Sequence, residues 1–225
     1  MNNKKQIYML MKEASYEYKT GADIHTVLEI LEKALELSLN DIKSEDSTFE
    51  DRLMFYKINI DKAAYLMSEN TDIALSLFKD LKEIVEVEKE KHADNFTLLA
   101  QSGLLNYLYG MCFDEENEKE LVRACIAFID SMVDFIRCTR IKPFISNLND
   151  VLDSQRGVVI ACRQLEIDND IISSLCVGED PVFDYDGKIE NLTRFKTSLQ
   201  QNYGIKDKGQ PLITLDAKSS ETIDN

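Results

Sequence analysis

The two histidines are the first residues to weigh for chemistry. His25 is followed four residues on by Glu29, and His92 is preceded by Glu88 at the same spacing. Each pair therefore shares one face of a helix. Helical bundles can build metal sites from such pairs, but a usable site needs three or four convergent ligands. Neither pair has a third ligand at helical spacing, so both read as surface ion pairs on charged helices. Asp180, Asp184, Asp186 and Glu190 around Gly187 suggest a calcium loop until the register is counted. With Gly187 as the turn glycine, the first ligand position falls on Val182 and the bidentate position on Thr193. A turn and a helix start fit better. No metal and no cofactor is expected.

The nucleophiles give no clearer signal. Cysteines stand at 112, 125, 138, 162 and 176, odd in number, scattered, and without a C-x-x-C. That pattern reads as free thiols, mostly small core residues, in a reducing cytoplasm. No G-x-G-x-x-G, G-x-x-x-x-G-K, H-E-x-x-H or G-x-S-x-G occurs. The expectation is a protein without enzymatic activity. An enzyme of unrecognised type is the alternative, and it would need polar groups converging in a pocket.

One charge contrast points to binding. Between residues 123 and 163 the cations Arg123, Arg137, Arg140, Lys142, Arg156 and Arg163 outnumber Asp130, Asp134, Asp150 and Asp153. Arg156 and Arg163, seven apart, share a helix face. Guanidinium forks suit carboxylates and phosphates. Arg137, Arg140, Arg156 and Arg163 are therefore the candidate partner-binding residues, with intramolecular salt bridging as the competing reading.

The elements that must carry these residues are helical. Only eight glycines and three prolines occur in 225 residues, every proline beyond residue 140, and no long alternating run argues for a sheet. The fold class is all-α. Helices are expected over 3–20 and 22–40, then from a Ser47–Glu50 capping box to Met67. A tight turn at 69–72 leads into a helix running to Glu90. On that helix Ile73, Leu77, Leu81 and Ile84 form one stripe, widened by Ala74, Phe78 and Val85. Further helices are expected over 95–110, 118–139, 144–166, 169–176 and 189–203, with Gly157 a weak point. Asp180-Pro181 and Asp186-Gly187 punctuate a loop. Leu28, Leu31, Leu77, Phe78, Leu81, Val122 and Phe128 are the expected core.

Adding 47 to positions 18, 27, 28, 31 and 34, once and then again, always lands on apolar or aromatic residues. Helix pairs repeating at such a length mark an α-solenoid. Residues 1–142 then hold three helix pairs, 143–204 a C-terminal helical cap, and 205–225 a disordered tail.

In the first unit Ala14, Ser15, Tyr18 and Gly21 precede Ala22, Leu31 and Ala34; in the second, Ala64 and Tyr65 precede Ala74 and Phe78. Over about residues 5–135 this resembles the tetratricopeptide-type (TPR-like) helical repeats, with small residues where paired helices touch. The unit here is longer than that family's usual one and lacks its closing proline. The resemblance implies a protein-binding scaffold and no chemistry of its own.

A net charge of −15 disfavours direct binding to nucleic acid or an anionic membrane, and favours encounter with basic partners. The apolar run after Lys4 and Lys5 is too short for a secretory segment, so a cytoplasmic protein is expected. The functional expectation is an interaction scaffold for a protein or peptide, of adaptor, chaperone or inhibitor type. An acidic decoy that blocks a nucleic-acid-binding enzyme is the alternative.

Overall fold

The structure, a computed structural model, describes residues 3–178 and 184–205. Regular structure among them is entirely helical, as expected. The helices are α1 (Asn3–Lys19), α2 (Ile24–Ile42), α3 (Phe49–Leu66), α4 (Thr71–Lys91), α5 (Phe96–Gly110), α6 (Glu118–Ile141), α7 (Ile145–Gln164), α8 (Asn169–Leu175) and α9 (Tyr185–Tyr203). Asp180, Pro181 and the expected tail from residue 206 onward lie outside the described residues.

Short polar side chains start most of these helices. Asp23, Asn70, Asn95 and Asn117 each accept a backbone N–H from the first turn that follows. The capping box of α3 lies one residue later than expected. Thr48 N and Oγ1 both donate to Asp51 Oδ2, at 2.8 and 2.7 Å. Asp51 is chosen over exposed Glu50 because Lys4 of α1 meets its other oxygen at 2.8 Å. Helix α9 begins four residues earlier than expected. Asp184 accepts from Gly187 N at 3.0 Å, and a Cβ at Gly187 would strike that carboxylate. Asp186 and Gly187 thus belong to a capped first turn, not to a loop.

From α1 to α7 each helix packs on the next; α3 also touches α5, α9 lies on α6, and α8 meets α9. Three apolar cores follow in chain order. The first joins Ile7 and Met11 of α1 to Val27 and Leu31 of α2 and to Ile58 of α3. In the second, Leu53 and Ile60 of α3 meet Phe78 and Leu81 of α4 and Leu98 and Leu105 of α5. The third gathers α6, α7, α8 and α9 around Ile129, Met132, Val158 and Leu192. Within it Cys125 and Cys162 touch, Sγ to Sγ, at 3.8 Å, and all five cysteines are free thiols.

At the 47-residue offset burial recurs in two of the five triplets, Val27, Ala74 and Leu121 and then Leu31, Phe78 and Cys125, while Tyr18 is exposed and Tyr65, Leu28, Leu75 and Phe128 are half-buried. The inner line of α4 is rotated from the expected one. It runs through Ala74, Phe78, Leu81, Val85 and Glu88, while Ile73 and Ile84 are 54% and 46% exposed. The apolar arc of α4 is wider than the strip its neighbours α3 and α5 can cover, so its edge stays in water. For the same reason Leu77, expected in the core, is only half-buried, and so is Leu28 on α2.

Phe128 is half-buried too, but its ring is tightly held. A Cβ added to Gly110 of α5 would come within 2.8 Å of that ring, and one added to Gly157 of α7 within 2.7 Å. Gly103 likewise leaves room for Phe135. Gly157 is therefore the seat of a ring, not a weak point. Alanine would favour an isolated helix by about 1 kcal/mol, yet here its methyl meets ring carbons next to their own backbone. Gly157→Ala is expected to lower stability by about 1–3 kcal/mol in urea unfolding. A raised midpoint would show that the ring has room to move.

Candidate functional site

The strongest convergence of polar groups lies where α4, α5, α6 and α9 meet. Helical spacing builds it. Lys82 and Lys89 are seven apart on α4, Ser102 and Asn106 four apart on α5, and Asp130 and Asp134 four apart on α6. Lys82 Nζ donates to Asn106 Oδ1 at 2.6 Å and to Asp130 Oδ2 at 2.9 Å. Lys196 of α9 reaches the other oxygen of Asp130 at 2.7 Å. One turn on, Lys89 Nζ lies 2.8 Å from Asp134 Oδ2 and 3.1 Å from Ser102 Oγ. Ser102 Oγ donates to the same Asp134 oxygen at 2.6 Å. Beside this seam Ser131 Oγ donates to Gly103 O, 2.8 Å away, and lies at the same distance from Ser154 Oγ of α7.

The two aspartates answer burial differently. Burial alone would push the Asp130 carboxyl up, but Lys82 and Lys196 outweigh it and hold the group at about 2. Asp134 is almost wholly buried, at 1% exposure, and Lys89 with Ser102 offsets only part of that burial, so its carboxyl sits above the ordinary range. Its Oδ1 has no hydrogen-bond partner, and the nearest guanidinium, that of Arg137, is 3.9 Å away. Burial acts to lower Lys89, but Asp134 and Glu86 more than compensate and keep it an ammonium.

A serine hydroxyl beside a lysine and an aspartate has the composition of a hydrolytic site. The arrangement does not suit that chemistry. A protonated Lys89 cannot take the Ser102 proton, and that hydroxyl already donates to Asp134. Ser102 and Asn106 are fully buried. The seam acts instead as a polar tie between four helices.

The sequence treats Asp130 and Asp134 merely as acids offsetting nearby arginines. The signal for the seam lies in LLAQSGLLNYLYG of α5, where Ser102 and Asn106 interrupt an apolar stretch at helical spacing.

The four candidate arginines do not share an acceptor. Arg140 bonds Asp186 of α9 at 2.9 Å, Arg156 bonds Asp153 of its own helix at 2.6 Å, and Arg137 lies by Asp134. Arg163 is exposed near the end of α7. His92 Nε2 is 3.9 Å from Glu88, and its ring stacks on Phe49 at 4.0 Å between centroids. His25 is exposed. Among the described residues no group of three His, Cys, Asp or Glu side chains could hold a metal ion, and no helix is long and apolar enough to cross a membrane. An open groove of about 430 Å³ runs along α2, lined by Glu29, Glu32, Glu36, Lys33, Leu35 and Leu39.

The turn from α6 to α7 exposes more apolar surface than a turn needs. Ile141, Phe144 and Ile145 are 36%, 61% and 75% exposed. Arg140 precedes them, and Lys142, between them, lies 4.4 Å from the Phe96 ring centroid. No family model, curated protein or solved structure matches this chain.

Two outcomes follow from the seam. Lys89→Met leaves the Asp134 carboxylate buried without its cation and is expected to cost about 3–5 kcal/mol. Adding Asp134→Leu and Ser102→Ala to it should recover much of that loss in thermal unfolding. An additive triple variant would break the argument. Asp130 titrates at about 2 here, against roughly 3.9 when unfolded. A carboxyl lowered by folding contributes stability fully above the unfolded value and loses it as pH falls through the folded one. Acid unfolding between about pH 4 and pH 2 should therefore be less steep in Asp130→Asn than in the parent.

Proposed function

We propose that this protein is a non-enzymatic interaction scaffold, a stack of antiparallel helix pairs with a C-terminal helical cap, that holds a protein or peptide partner. The solenoid reading is supported by burial recurring in two of the five 47-residue triplets and by each helix from α1 to α7 packing on the next. The free thiols fit a reducing cytoplasm. The observation that carries the binding reading is the turn at 141–145. Three large apolar side chains face water there, beside Arg137, Arg140 and Lys142, in a chain of net charge −15. Exposed apolar groups with arginine at their rim have the composition of an interface anchor.

This narrows the expected arginine face. Arg137 and Arg140 flank the exposed turn, whereas Arg156 and Arg163 sit further along α7. Affinity capture from the native cells, with partners identified by mass spectrometry, tests the reading. Phe144→Asp is expected to reduce recovery of the captured partner at least about ten-fold, a loss of roughly 1.4 kcal/mol or more, with an unchanged circular dichroism spectrum. Recovery equal to that of the parent would place the binding surface elsewhere.

A further inference from the structure

A second surface stands out by its charge. The buried side of α1 is Ile7, Met11 and Ala14. On its outer side Lys5, Tyr8, Met9, Lys12, Tyr16 and Lys19 fall within a sector of about 100° at 3.6 residues per turn. All six are exposed, with Tyr8 at 54%, Met9 at 56% and Tyr16 at 65%. Glu13 and Glu17, the acids of this helix, lie to one side of that sector. The lysines recur every seven residues, so they form one line along the helix, and Lys12 Nζ sits 4.7 Å from the Tyr8 ring centroid. Lys5, Lys12 and Lys19 have no carboxylate partner among the described residues, although the whole chain carries −15. A basic, aromatic face without acids is out of keeping with the rest of this molecule.

We propose that the outer face of α1 binds an acidic amphipathic helix of a partner protein. Its carboxylates would meet Lys5, Lys12 and Lys19, spaced about 10.5 Å apart along the helix. Its apolar side chains would cover Tyr8, Met9 and Tyr16. This is the helix-against-helix mode, in which apolar anchors give affinity and flanking charge sets orientation and partner. A second copy of this chain does not fit through the same face. Pairing α1 with α1 in either direction sets lysine against lysine. An extended polyanion fits poorly as well. The helix is only about 25 Å long, and a bilayer or duplex overhanging it would meet the acids that dominate the remaining surface. A partner helix of matching length would not. The face lies on a different helix from the 141–145 turn, so either proposal can fail while the other stands.

The test uses the full chain labelled with nitrogen-15 and a peptide of three heptads, with glutamate at the first position of each and leucine at the fourth and fifth. The same peptide with lysine in place of glutamate, phosphatidylserine vesicles and an oligothymidylate are the comparison arms. The expected result is that the glutamate peptide shifts backbone amides over residues 5–19 while the lysine peptide does not. Lys5→Glu/Lys12→Glu/Lys19→Glu should weaken that binding at least about ten-fold without changing the melting temperature, since all three side chains are exposed. Tyr16→Ala should weaken it to a lesser degree. No shift on α1, equal binding of both peptides, or α1 responding to vesicles or oligonucleotide in preference would each overturn the proposal.

Discussion

A carboxylate buried in a helical interior must either meet a cation or give up its charge. Helix α6 carries two carboxylates one turn apart, Asp134 buried and Asp130 partly buried, and both are met by cations from neighbouring helices. Asp130 draws Lys82 from α4 and Lys196 from α9; Asp134 draws Lys89 from α4 and Ser102 from α5. Between α5 and α6 the register is already fixed by the Phe128 and Phe135 rings seated on Gly110 and Gly103, and the ion pairs add a register for α4 and α9. A lysine displaced by one turn would strand a buried aspartate. Desolvation offsets much of the attraction within these ion pairs, so their net contribution to stability is smaller than their short distances suggest. Asp134 shows the cost directly, with one oxygen unpaired and its carboxyl pushed up.

Much of the helical framework is readable from the sequence because its signals are local. Sparse glycine and proline, and Asp, Asn or Thr ahead of apolar periodicity, place the helices within a few residues. The residues at 27, 74 and 121 and at 31, 78 and 125 identify the inward side of three helices, because identical spacing presents identical faces. What is not readable depends on neighbours. Which strip of α4 is covered is not legible locally, because apolar character spans a wider arc than α3 and α5 occupy. The capping residue of α3 was decided by Lys4, distant in sequence. The seam is not legible either, because its lysines, aspartates, serine and asparagine come from helices whose pairing no local pattern reveals. The arginines, conspicuous as a count, are distributed among separate acids.

The interior and the surface thus have opposite characters. Inside, polar groups converge where Ser102, Asn106 and Asp134 are sealed from solvent, and Lys89 is held in the protonation state that suits a structural tie. Outside, large apolar groups stay exposed along several helices, Ile73 and Ile84 of α4 among them, and those at the 141–145 turn and on α1 are accompanied by cations in an acidic chain. Selection for solubility alone would have replaced Phe144, Ile145 and Tyr16 with polar residues at little cost to the fold.

The glycines around Phe128 bear on how this sequence can change over time. Gly110, Gly157 and the ring they enclose share one volume, so none of the three positions can vary independently. A larger residue at 157 becomes acceptable only after Phe128 has become smaller, and the smaller residue at 128 leaves a cavity until the glycine is replaced. Each order of substitution passes through a less stable intermediate, so among descendants of this chain the positions should vary together or not at all. Related sequences too diverged to align by eye could be recognised by that linked triplet on three successive helices, long after the 47-residue repeat has faded.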